Sequence, residues 1–156
     1  NLDKVIVKGN PIKRTVSFIV EDSKITDYFD KERIPYAVIA NVNSDFSKER
    51  EYILGEERHE EISDLNSLLN KNKINSKICV INYSNLDYCL EKKYFIIAPT
   101  IQTESNIITL LSNINSGSII LIKKGANIDN IKLIKQEIKK QDLKIEYLSE
   151  HITENS

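Results

Sequence analysis

The sequence predicts an α/β protein built on a mostly parallel sheet. Short runs rich in β-branched and aromatic residues recur along the chain, among them Thr15 to Val20 (TVSFIV), Tyr36 to Val42 (YAVIANV) and Ser118 to Ile122 (SIILI). Segments whose apolar residues repeat with helical spacing lie between them. The runs are apolar almost throughout, where a half-exposed strand would alternate. That is the pattern of strands buried on both faces, as in a parallel sheet covered by helices.

Taken in order, Val5-Ile6-Val7 reads as a short strand closed by the turn residues Gly9-Asn10-Pro11. Thr15 to Val20 is the first core strand, and Ser23 to Glu32 forms a helix with Ile25, Tyr28 and Phe29 on one side. Pro35 sets the start of the strand from Tyr36 to Val42. A weaker strand, Glu51 to Leu54, leads into a helix from about Arg58 to Asn70 carrying Ile62, Leu65, Leu68 and Leu69. Lys77 to Asn82 is a strand, Leu86 to Lys92 a short helix, and Tyr94 to Pro99 another strand. Ser105 is the expected N-cap of a helix holding Ile107, Ile108, Leu111 and Ile114. After Asn115-Ser116-Gly117 and the strand from Ser118 to Ile122, an amphipathic helix runs from about Ile128 to Gln141. Its Ile128, Ile131, Ile134 and Ile138 face inward and its lysines face solvent, and Lys144 to Leu148 closes the pattern.

With 156 residues and neither linker nor repeat, the chain reads as one domain over 1–156. Its 40% hydrophobic and 29% charged content is that of a globular protein and excludes global disorder. Lys+Arg 22 against Asp+Glu 23 leaves a net charge of -1, which removes the electrostatic footprint of a nucleic-acid binder. No apolar run approaches the roughly 20 residues that cross a bilayer. The chain starts at Asn1 without Met, so it reads as excised from a longer precursor, and the lack of a signal peptide does not assign a compartment. Cys79 and Cys89 are expected to be buried free thiols, with a disulfide as the alternative; neither fits a zinc template with His59 or His151.

The chemistry-bearing motifs are few. The four glycines, at 9, 55, 117 and 125, make no phosphate-cradling loop, and no nucleophile elbow appears. Two acidic clusters stand out. Glu21-Asp22 follows the first core strand, at the strand end where sites of parallel α/β folds collect. Glu56-Glu57-Arg58-His59-Glu60-Glu61 opens a helix, where carboxylates also complement the helix dipole.

The order of motifs carries a resemblance. Lys8-Gly9-Asn10-Pro11 followed by Thr15 to Asp22 resembles the opening of the polysaccharide deacetylase (NodB-homology) family, nearest its sporulation-associated branch. Asn115 to Gly125 (NSGSIILIKKG) is similar to that family's "pGsIiLlHdg" strand, and Leu143 to His151 (LKIEYLSEH) to its closing "GYkfvtlsEl". Tyr36 to Val42 sits where the family has "kaTFFv". The resemblance implies a distorted (β/α) barrel with a divalent metal, usually zinc, that removes acetyl groups from N-acetylated sugars. Because Val42 to Lys77 is shorter than in the family, a strand or helix is expected to be missing and the barrel to be degenerate and shortened.

Carried over by position, the family's "TFDDG" falls on Ile19 to Ser23, which leaves Glu21 at the general base and Asp22 at the first metal ligand. The "H-x-x-x-H" pair falls on Glu57 and Glu61, with His59 out of register. The Arg and prolines of "RpPyG" should lie within Val80 to Ser84 and are absent. The catalytic His of "lHD" falls on Lys123, and its Asp on Lys124. A Lys cannot replace an imidazole as general acid without a large pKa shift. The expectation is therefore a catalytically inactive domain with neither catalytic nor metal residues and no cofactor. It would bind a protein partner, or a glycan through Tyr83, in an extracytoplasmic envelope or spore setting. The alternative is a deacetylase with an acidic site for a divalent metal such as zinc, built from Asp22, Glu57 and Glu61 with Glu21 as base.

Overall fold

The computed structural model describes residues 5–6, 8–55, 59–81, 84–103 and 106–152, with side chains at all of these but 59 and 60. The strands are β1 (Val5–Ile6), β2 (Thr15–Glu21), β3 (Ala37–Ile39), β4 (Glu51–Ile53), β5 (Ile78–Val80), β6 (Phe95–Ile97), β7 (Ile101–Gln102), β8 (Ile119–Ile122) and β9 (Lys144–Glu146). The helices are α1 (Ile25–Lys31), α2 (His59–Lys71), α3 (Leu86–Glu91), α4 (Ile107–Ser112), α5 (Ile128–Lys140) and α6 (Leu148–His151).

Every ladder is parallel. One sheet has the order β4-β3-β2-β8-β7, with β9 also on β2, and a second has the order β1-β6-β5. β2 is the hub. Its residues 15–17 pair with β9, 17–20 with β8 and 19–21 with β3. The sheets meet where Leu54 bridges Cys79, through Leu54 N–H to the Ile78 carbonyl (3.0 Å) and Val80 N–H to the Leu54 carbonyl (2.7 Å).

Strand alternation divides the apolar side chains into two layers. Val16, Phe18, Val20, Val38, Leu54, Ile96, Ile120 and Ile122 pack in one cluster with Phe29 of α1, Leu65 and Leu69 of α2, and Ile131 and Ile134 of α5. Ile19, Ala37, Ile39, Ile53, Val80, Ile97, Ile119 and Leu121 form the other, and among the described residues the only helical one packed with them is Leu148 of α6, followed by Ile152. The sheet therefore curls around an interior filled by its own side chains, as in a (β/α) barrel.

The short stretch from Val42 to Lys77 carries β4 and α2 and keeps β3, β4 and β5 neighbours. Among the described residues no ladder joins β1 to β7, so the wall has its seam there. Two expectations are corrected here. Cys79 and Cys89 form a disulfide. The outward side chain of β5 and the inward side chain of α3 meet with Cα atoms 6.4 Å apart, within bridging reach, and the spacing of two cysteines in a sequence cannot show this. Lys144 to Leu148 is not one closing strand, because β9 stops at Glu146 and a helical turn follows. Ser105 lies outside the described residues; the side chain of Asn106 caps α4 by accepting from the N–H of Ile108 (2.9 Å).

The N-terminal ends of β2 and β8 are locked together by turns. Gly9 N–H donates to the Gly117 carbonyl (2.9 Å) and Gly117 N–H to that of Thr15 (2.8 Å). Lys8 Nζ reaches Asn115 Oδ1 (2.9 Å), and Ser116 Oγ donates to the Pro11 carbonyl. Gly117 has φ +93, and a Cβ there would lie 2.9 Å from the Gly9 carbonyl oxygen, so glycine is required twice over.

Candidate functional site

The C-terminal ends of the strands gather the residues that the sequence singles out, and the structure separates them into two groups. Glu21, the last residue of β2, accepts the backbone N–H of Lys124 on Oε1 (2.8 Å). The neighbouring Lys123 N–H donates to Thr103 Oγ1 (2.9 Å). Glu21 and the Lys123-Lys124 pair thus meet across the β2–β8 rim, as expected of residues at the ends of paired strands.

Asp22 belongs to the other group. Its Oδ2 accepts from Ser44 Oγ (2.6 Å) and its Oδ1 lies 3.7 Å from Arg50 Nη1. Arg50 also reaches Asp30 Oδ2 (3.3 Å) and Thr26 Oγ1 (3.1 Å) on α1, and its side chain is only 3% exposed. Tyr36 donates its hydroxyl to Asp30 Oδ1 (2.6 Å); burial, reinforced by that bond, pushes the phenol well above its ordinary value. A buried guanidinium with two carboxylates, a threonine and a tyrosine around it is an ionic cluster whose cation is supplied by the chain, although its Nε has no hydrogen-bond partner among the described residues.

The cleft beside this cluster has a volume of about 600 Å³ and lies between α1 and the β3–β4 loop. Its carboxylates have partners. Asp45 accepts from Ser47 Oγ (2.6 Å) and Ser47 N–H (3.1 Å), which hold its carboxyl below the usual carboxylate range. Asp27 lies 3.6 Å from Lys48 Nζ.

Among the described residues no three His, Cys, Asp or Glu side chains come together to hold a metal ion. Glu61 lies half-buried in the first turn of α2; Glu57, Tyr83 and the side chain of His59 lie outside the described residues. With one Asp22 oxygen facing Arg50 and the other holding Ser44, the described residues do not make up a zinc centre. Arg50 and Ser44 are the participants that the sequence did not reveal. Neither belongs to a motif, and an arginine ahead of a weak strand carries no mark of burial.

No protein-family model matches the chain, and no curated protein matches it in sequence. Solved structures do match. The Bc1960 peptidoglycan N-acetylglucosamine deacetylase superposes with a TM-score of 0.74 at 14% identity, over 96% of this chain and 92% of that one. A CE4 family pseudoenzyme from Bacillus anthracis gives 0.73 at 13%, over 96% and 69%. PdaA of Bacillus subtilis, a family 4 carbohydrate esterase, gives 0.73 at 12%, over 99% and 88%. The fold is that of the polysaccharide deacetylases. At such identities the match establishes the deacetylase-like, mostly parallel α/β architecture, and leaves the chemistry to this chain's own residues. No helix among the described residues is long and apolar enough to cross a membrane.

Proposed function

We propose that this deacetylase-like domain is catalytically inactive and serves as a binding or structural module, with a protein as its main partner, in an extracytoplasmic envelope or spore setting. The observation that carries the reading is the engagement of Asp22 by Arg50 and Ser44. The residue that the resemblance puts at the family's first metal ligand faces a built-in cation, and the resemblance puts Lys123 in the place of an imidazole general acid. Hydrolysis of an amide by this fold needs a metal-activated water and a proton donor. Parts of a catalytic unit act together, so losing several removes nearly all of the rate.

Two further facts support the reading. One structural neighbour is itself described as a pseudoenzyme, so the fold exists in non-catalytic form. The Cys79–Cys89 disulfide suits an oxidising compartment. Calorimetric titration with zinc and with manganese tests the proposal. No saturable binding is expected, whereas micromolar affinity that disappears in Asp22→Ala would overturn it.

A further inference from the structure

We propose that α6 is an acid-released plug in the N-terminal mouth of the barrel, held in place by buried, neutral His151 and let go when that imidazole takes up a proton. The inference is independent of whether the opposite rim is catalytic.

A four-residue helix has no stability of its own, so α6 persists only through what it buries. Leu148 and Ile152 enter the interior cluster, and His151 between them is 0% exposed. Its Nδ1 lies 2.7 Å from the hydroxyl of Ser17, a fully buried residue of β2. Its ring lies against Gly9, where any Cβ would overlap the imidazole. The imidazole thus joins the segment before β2, β2 itself and the C-terminal helix at one point.

Among the described residues, two charged groups face it. Glu146 of β9 favours the imidazolium, and Lys13, in the 3-10 turn Pro11–Lys13, opposes it. These two are 3.3 Å apart, and Lys13 takes up part of the Glu146 charge. Glu150, on α6 itself, presents its carbonyl to Lys13 Nζ (3.0 Å). Burial therefore dominates and lowers the His151 pKa. With the folded value below the unfolded one, the stability contributed by neutral His151 is complete above about pH 6.5 and is lost as pH falls through 6.5 toward the folded value.

A second titrating tie has the opposite sign. Glu51 of β4 accepts the N–H of Ser149 (3.2 Å) and also its hydroxyl, and burial raises the Glu51 pKa. Its protonation is thus easier in the folded state and offsets part of the acid effect. Beside α6 a cavity of about 340 Å³ is lined by Tyr52, Ile78 and Phe95 together with Ser149 and Ile152, so release of α6 would remove one of its walls.

Amide-exchange protection of residues 148–152, compared with β2 and β8, tests the plug at pH 7.5 and 5.0 on the whole chain. In the unmodified protein, α6 protection should fall by up to about tenfold per pH unit below the onset while β2 and β8 hold. His151→Asn should abolish the fall, and Glu51→Gln should steepen it. Equal loss in α6 and β2, or an undiminished fall in His151→Asn, would overturn the proposal. Should His151→Asn not fold, proton NMR titration of His151 in the unmodified chain decides instead: a value near 6.5 with α6 in place contradicts the plug, and a clearly lower one supports it.

Discussion

The two ends of the barrel differ in what holds them. At the N-terminal end, turns from distant parts of the chain lock through the backbone bonds Gly9 to Gly117 and Gly117 to Thr15, and the imidazole of His151 packs against Gly9. At the C-terminal end the contacts are side-chain ion pairs and hydroxyl bonds around Arg50, Asp22 and Ser44. The segments that carry the family resemblance, Lys8 to Asp22 and Asn115 to Gly125 above all, start at the first end and run along β2 and β8 to the second. The positions where the resemblance implies a departure from the family's chemistry, Glu21 and Lys123 among them, belong to the second. A likeness written mainly in strand order speaks for architecture, and the rim has to be read on its own terms.

The largest effect is expected where the backbone lock is tightest. Gly9→Ala places a methyl group inside the His151 ring and should cost about 3 kcal/mol or more in urea unfolding. A small loss would mean that α6 yields easily and that the closed end is softer than its geometry implies. Next, replacing Cys79 and Cys89 together by alanine opens a short loop of separation 10 and removes buried sulfur, for a cost of about 2–3 kcal/mol. That change tests the wall between the two ends, and thermal melts with and without reductant on the unmodified chain check it independently.

The rim should tolerate more. Arg50→Gln leaves Asp22 and Asp30 without their shared cation, but both carboxylates keep some solvent contact, so about 1–2 kcal/mol is expected. A loss as large as that of Gly9→Ala would erase the contrast between the ends. The smallest effect is expected from Asp22→Asn, which keeps the Ser44 bond and loses only a 3.7 Å ion pair: within about 1 kcal/mol by chemical denaturation.

Much of this was legible in the sequence because periodicity reports burial. The strands from Thr15, Tyr36, Lys77, Tyr94 and Ser118 and the helices near 59–71 and 128–140 appear where the apolar pattern places them. The site was legible only as far as Glu21-Asp22 and Lys123, since position along a strand says which rim a residue occupies but not what it touches. Asp22 meets Arg50 across 27 residues of intervening chain, and no local pattern encodes that pairing. The Cys79–Cys89 bond was missed for the same reason. α6 was missed because four residues are too few to show a period.

Acetate release from an acetylated chito-oligosaccharide, measured with zinc present in excess, tests the central claim most directly. The account predicts no release above the enzyme-free rate, and the same result in Asp22→Ala. Turnover that requires zinc and vanishes in Asp22→Ala would contradict it, and would mean that the Arg50 cluster opens to make way for a metal.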